Sequence, residues 1–226
     1  MVLTSLGVSP PPDFPSMSHE AIHSHLKDIR ERNPVSGSQW AGAWNAVVYR
    51  FMSCAEHDEQ FTSSVAKSGA SPRQPERYIQ DRELFEFFVS GLASFEAFHY
   101  ALFAIGSIVS PAHFPFASGG DFKRVTTAIV LKTYRTAFPM ESLTSSLHRW
   151  QSDKVIIQWN EIRNILVHRA LPGRTFFAGG EEDGLTLWSN GISIDQTTTS
   201  SRRKWLANAL THLLQEAQQF TLSHVK

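Results

Sequence analysis

The segment Glu161-Ile-Arg-Asn-Ile-Leu-Val-His168-Arg169, followed at once by Ala-Leu-Pro-Gly-Arg174, holds the residue types that phosphodiester chemistry needs. A guanidinium stays charged at physiological pH, and an imidazole exchanges protons near neutrality. RNA carries its own nucleophile, the 2′-hydroxyl, so cleavage needs a proton acceptor and charge stabilisation rather than a metal. His168 can serve as general base or acid. Arg163 can hold the phosphate through two hydrogen bonds and stabilise the charge added in the transition state. Asn164 can orient the phosphate or His168, and Glu161 can fix the tautomer of the histidine. The expected products are a 2′,3′-cyclic phosphate and a 5′-hydroxyl. Arg169 and Arg174 stand just beyond as candidate phosphate contacts.

A helical wheel shows how such a segment would be presented. With Glu161 at zero, Asn164 falls near 300°, His168 near 340° and Ile157 near 320°. These positions form one seam. Val155, Trp159, Ile162, Ile165 and Leu166 take roughly the opposite side and supply an apolar face without His168. Arg163 lies off the seam, with a side chain long enough to swing towards it. A two-fold dimer would bring two copies of the seam together and double the positive charge in one cleft. The same residues also have a structural reading, because basic groups in a last helical turn satisfy orphan carbonyls and the helix dipole.

Arg163-Asn164-x-x-x-His168 resembles the signature of the HEPN superfamily (higher eukaryotes and prokaryotes nucleotide-binding). The likeness is strongest from Glu141 to Arg174 and weaker over the long helices between Gly37 and Val109. It implies an all-α helical bundle and a homodimer whose paired Arg163 and His168 cleave RNA without metal or other cofactor. It also implies a role in toxin–antitoxin systems or defence, with any antitoxin a separate protein. Some members of the family do not cleave RNA. The alternative is therefore a non-catalytic helical dimer that binds a protein partner or a nucleotide.

The elements that must position these residues follow from apolar spacing and from the breakers between them. Residues 1–36 read as an irregular arm with a short helix from Ser18 to Arg30, and residues 37–226 as the helical domain. Trp40, Trp44, Val47, Val48, Phe51 and Cys54 mark one face of a helix from Gly37 to Lys67. Pro75 opens a second long helix running to Val109, apolar enough to be the spine of a bundle. Asp121 to Phe138 predicts a third helix. Glu141 to Arg169 predicts a fourth, bent near Asp153 and closed by Pro172-Gly173. Leu185–Trp188 and Ile192–Ile194 alternate around Ser189-Asn190-Gly191, a hairpin signal. Thr197–Ser201 offer N-caps to a last helix with Trp205, Leu206, Leu210, Leu213, Leu214 and Phe220 on its apolar side.

With 226 residues the chain can bury a substantial core. Its 21 basic and 21 acidic side chains balance, which argues against broad coating of nucleic acid but leaves room for a local basic cleft. The one cysteine, Cys54, permits no intrachain disulfide and suggests a reducing, cytoplasmic setting. Ser9-Pro-Pro-Pro12 interrupts what a signal peptide would need as an apolar run. Phe87–Val109 is broken by Glu96 and His99 and reads as a buried helix rather than a membrane span.

Other constellations compete for attention. His19-Glu-Ala-Ile-His23 matches the zinc-peptidase pattern H-E-x-x-H, with His25 close by. It has no convincing third ligand and no preceding sheet, so a solvated helix is expected there. Glu56-His-Asp-Glu59 reads as a solvated acidic face, and His99 as a hydrogen-bonded core histidine. Arg202-Arg-Lys204 opens the last helix and reads as a solvated helix end. No phosphate-binding glycine loop and no nucleophile elbow occurs.

Overall fold

The fold comes from a computed structural model that describes residues 7, 9–168, 173–179, 184–188 and 191–226. It is an all-α protein whose strands amount to one small antiparallel hairpin before the last helix. The helices are α1 (Ser16–Leu26), α2 (Ile29–Arg32), α3 (Pro34–Ser68), α4 (Gln74–Val109), α5 (Gly119–Arg124), α6 (Thr127–Ala137), α7 (Ser142–Gln151), α8 (Lys154–His168) and α9 (Ser200–His224). The strands are β1 (Arg174–Phe176) and β2 (Thr186–Trp188). The chain forms two compact units, and α3, α4 and α9 each contribute to both.

The long helices begin and end where the backbone chemistry dictates. Pro34 takes the first position of α3, where its missing N–H costs nothing. Gly69 closes the helix with a φ of 72°, its N–H donating to the Val65 carbonyl at 2.8 Å. Pro75 falls in the first turn of α4. That helix is long and apolar enough to cross a membrane, but 72% of its most apolar window is buried inside the protein.

Two segments that periodicity alone predicts as single helices are each broken in two. Asp121–Phe138 divides into α5 and α6. Ser118 and Asp121 form a capping box at the start of α5. Thr126 then takes extended backbone angles and caps α6 by accepting from the Ile129 N–H at 3.3 Å. Glu141–Arg169 divides into α7 and α8. Ser152 turns back on the ending helix, its N–H and its hydroxyl both donating to the His148 carbonyl, so α8 starts afresh at Lys154.

The first unit takes Met1–Arg50, Ala93–Asp153 and Ala207–Lys226. Its core is aromatic. Phe114 packs edge-on between Phe103 and Tyr134, and Tyr134 donates its hydroxyl to the Leu102 carbonyl at 2.8 Å. Burial drives the Tyr134 hydroxyl far above its ordinary pKa. Here α1 is not a solvated helix. His19 is buried, stacks on Trp44 at 4.6 Å between ring centroids, and places Nε2 3.2 Å from the Trp44 carbonyl. His23 stacks on Trp40, and His25 Nε2 reaches the Val225 carbonyl at 2.8 Å. The apolar rings of α3 therefore take the histidine face of α1 out of water. Among the described residues, no group of three or more His, Cys, Asp or Glu gathers as a metal site.

The second unit takes Phe51–Leu92 and Lys154–Leu206. Trp159 lies at its centre, beside Phe87, Phe88 and Trp205. The hairpin pairs Arg174 with Trp188, Thr175 with Leu187 and Phe176 with Thr186. The expected partner of β2, Ile192–Ile194, adds one bridge between Leu187 and Ser193 and two backbone bonds beside it. The ladder partner is instead β1, in a stretch without strand-like alternation. Ser189 and Asn190, on which the expected turn rests, lie outside the described residues.

Candidate functional site

Helix α8 carries the candidate residues, and its orientation is set by one tryptophan. Trp159 Nε1 donates to the Phe88 carbonyl at 2.8 Å, and its indole fills the space above Gly91. Ile156 and Ile162 flank it as the other buried residues of the helix. The apolar face is thus Ile156–Trp159–Ile162. Val155, Ile165 and Leu166, expected there from the wheel, are only half-buried. This rotation places Arg163 beside the buried arc, about 40° from Trp159.

The seam on the other side is open. Glu161, Asn164 and His168 are all exposed, and His168 is the last residue of α8. Ile157 is 46% exposed and Val167 41%, so apolar surface accompanies the polar groups. Arg163 is half-buried, and its Nη1 donates to Asn164 Oδ1 at 3.2 Å. That bond carries the guanidinium from its backbone position towards the seam. Arg163 and His168 are about 140° apart around the helix axis, as any pair five residues apart must be. One copy of α8 therefore presents them in different directions.

The flanking arginines divide. Arg169 lies outside the described residues. Arg174 is engaged inside the protein rather than presented to a phosphate. Its side chain is 3% exposed, with Nη2 2.5 Å from Asp81 Oδ1 and Nη1 donating to Gln80 Oε1 at 2.6 Å and to the Ala70 carbonyl at 2.9 Å. Burial lowers the pKa of the guanidinium, and Asp81 opposes that shift.

The opening turn of α9 is also built in, not solvated. Arg202 donates to the Thr198 carbonyl at 2.7 Å and to Gln158 Oε1 at 3.1 Å, with its guanidinium 5.9 Å from the centre of the Phe88 ring. Arg203 Nη1 lies 3.4 Å from Asp58 Oδ2 and 3.3 Å from Glu59 Oε1.

A second polar centre in this unit escapes sequence reasoning. His57 Nδ1 sits 2.6 Å from Glu83 Oε2, and the Glu83 side chain is 3% exposed. Burial works to raise the Glu83 pKa, but bonds from His57 and Arg82 prevail and hold it below the usual carboxylate range. A carboxylate on one ring nitrogen fixes the imidazole's tautomer, so this pair has the form of a proton-transfer dyad. The acidic run Glu56–Glu59 is therefore not a uniform solvated face: Asp58 and His57 turn inwards to partners, while Glu56 and Glu59 stay exposed. The only signal in the sequence is a histidine amid acids. Its partner, 26 residues away on α4, carries none.

Comparison with known protein families, with curated proteins and with solved structures finds no match to this chain.

Proposed function

We propose that the protein is a HEPN-type, metal-independent endoribonuclease that acts as a homodimer. Two copies of α8 face each other across a two-fold axis and line a cleft for single-stranded RNA. Arg163 binds and neutralises the scissile phosphate. His168 accepts the 2′-hydroxyl proton or delivers one to the leaving 5′-oxygen. Asn164, bonded to Arg163, positions the guanidinium, while Glu161 lies on the seam beside His168. The products end in 2′,3′-cyclic phosphate and 5′-hydroxyl.

The observation that carries this reading is the presentation of α8. One side of the helix is anchored by Trp159, which gives the site a rigid base. The other side offers Asn164 and His168 to solvent beside the Arg163–Asn164 bond. The 140° between Arg163 and His168 favours a dimer, because a neighbouring helix can bring its histidine towards this arginine. A cytoplasmic setting suits the buried, unpaired Cys54, and a separate antitoxin protein would cover the cleft.

A second reading rests on the exposure of Ile157 and Val167 on the same helix. Apolar groups there suit an interface, and the polar seam would then serve a non-catalytic dimer that binds a protein partner or a nucleotide. Sedimentation of wild type and His168→Ala, together with end-group analysis of any RNA products, separates the two. The catalytic reading expects a dimer in both proteins and cyclic phosphate ends from wild type alone. A variant that falls to monomer, with no cleavage by either protein, supports the second reading.

A further inference from the structure

A cavity of about 570 Å³ opens in the first unit between α3, α4 and the start of α6. This is the size of many small-molecule sites. None of the residues assigned above to RNA lines it.

Its floor is cleared by Gly42, Ala43 and Ala46 on one side of α3. Gly42 has no reason in the fold to be glycine. It lies inside a helix, where glycine is the least favourable residue after proline. Its φ is not positive, and a Cβ built on it meets nothing within 4 Å. The missing side chain keeps the cavity open.

Charge is placed along one wall. Arg50 Nη1 donates to the Ala93 carbonyl at 2.8 Å, which fixes the direction of the guanidinium and leaves its other N–H groups. Glu96 lies one turn beyond Ala93 on the same face of α4 and lines the same cavity. A guanidinium and a carboxylate therefore stand close together on the wall. At the far end, Tyr100 donates its hydroxyl to Gln39 Oε1 at 2.7 Å, so the Gln39 amide keeps its N–H donors for other partners.

We propose that this cavity binds a free α-amino acid. The ligand carboxylate pairs with Arg50 and its ammonium with Glu96, while its side chain lies on the Gly42–Ala46 floor towards Gln39 and Tyr100. A ligand with only one charge would meet a like charge at close range, whereas an ammonium and a carboxylate on one carbon match both members of the wall. The volume leaves room for the larger side chains.

The test is thermal unfolding of the full-length protein with each of the twenty free amino acids at millimolar concentration, followed by calorimetric titration of the best. Two further arms use the decarboxylated amine and the deaminated acid related to that amino acid. At least one amino acid is expected to raise Tm, and each one-charge analogue to bind at least tenfold more weakly. Gly42→Leu fills the cavity from a position with open space, so it should fold and lose binding at least tenfold. Arg50→Gln should lose it similarly. The proposal is overturned if no amino acid shifts Tm, if a one-charge analogue binds equally well, or if folded Gly42→Leu binds as wild type does.

Discussion

Gly91 and Trp159 are fitted to each other: a Cβ on Gly91 would run into the six-membered ring of the indole, and Cys54 Sγ stands 3.2 Å away on another side. The tryptophan cannot yield easily, because Phe87 stacks on it and the Phe88 carbonyl holds its N–H. Two effects oppose each other in Gly91→Ala. Alanine gains about 1 kcal/mol of helix propensity, while overpacking of a filled core costs about 1–3 kcal/mol. The clash is with a rigid ring, so the net effect is a loss of about 1–2 kcal/mol. A lower urea midpoint with unchanged m-value would be the readout. Because Trp159 sets the rotation of α8, the same variant should also weaken RNA cleavage.

Arg174 and Arg163 should behave oppositely when truncated. Arg174 is paired with Asp81 in the interior, and removal of one partner leaves a buried charge unmatched. Arg174→Ala is expected to cost about 3 kcal/mol or more. Arg163→Ala, on a half-buried position at the rim of α8, should change stability by less than about 1 kcal/mol yet abolish cleavage. Denaturant unfolding of both variants checks this directly.

Acid should unfold the protein through its buried histidines. Burial against Trp150 lowers the pKa of His99 to about 4, from 6.5 in an exposed chain. Burial also lowers that of His19, against opposing effects of the Trp44 carbonyl and Glu20. Below pH 6.5 the unfolded chain takes up protons that the folded chain refuses, so the stability these groups support falls as pH falls. For His99 the loss runs from pH 6.5 to about 4. It amounts to about 3 kcal/mol at most. Urea midpoints at pH 7, 5.5 and 4.5 should decline in wild type, and the decline should be shallower in His99→Phe. An equal slope in the two proteins would assign the acid limb elsewhere.

The His57–Glu83 pair supplies a control for the site of cleavage. His57→Gln should leave the reaction intact if the chemistry belongs to α8, while His168→Gln should remove it. The reverse pattern in single-turnover assays would move proton transfer to the dyad.

How much of this could be read in the chain depends on the range of the interaction. The long helices were legible because Trp40, Trp44, Val47 and Phe51 repeat at helical spacing and Pro34, Gly69 and Pro75 punctuate them. The breaks at Thr126 and Ser152 were less so: each is one hydroxyl folding back on the backbone, and apolar periodicity runs past it. The exposed seam of Glu161, Asn164 and His168 followed from the wheel, but the buried face did not. Trp159 alone fixes that face, through the Phe88 carbonyl and Gly91. Strand β1 and the fate of Arg174 depend on Asp81, 93 residues distant, and His57 on Glu83 in the next helix. Pairings of that length leave no local trace.

Cleavage of a mixed RNA pool by the purified protein in EDTA, beside His168→Ala, bears most directly on the account. Cleavage that survives chelation, leaves 2′,3′-cyclic phosphate ends and disappears in the variant is the predicted result. Cleavage that needs added metal, or that continues undiminished in a folded His168→Ala protein, would contradict it.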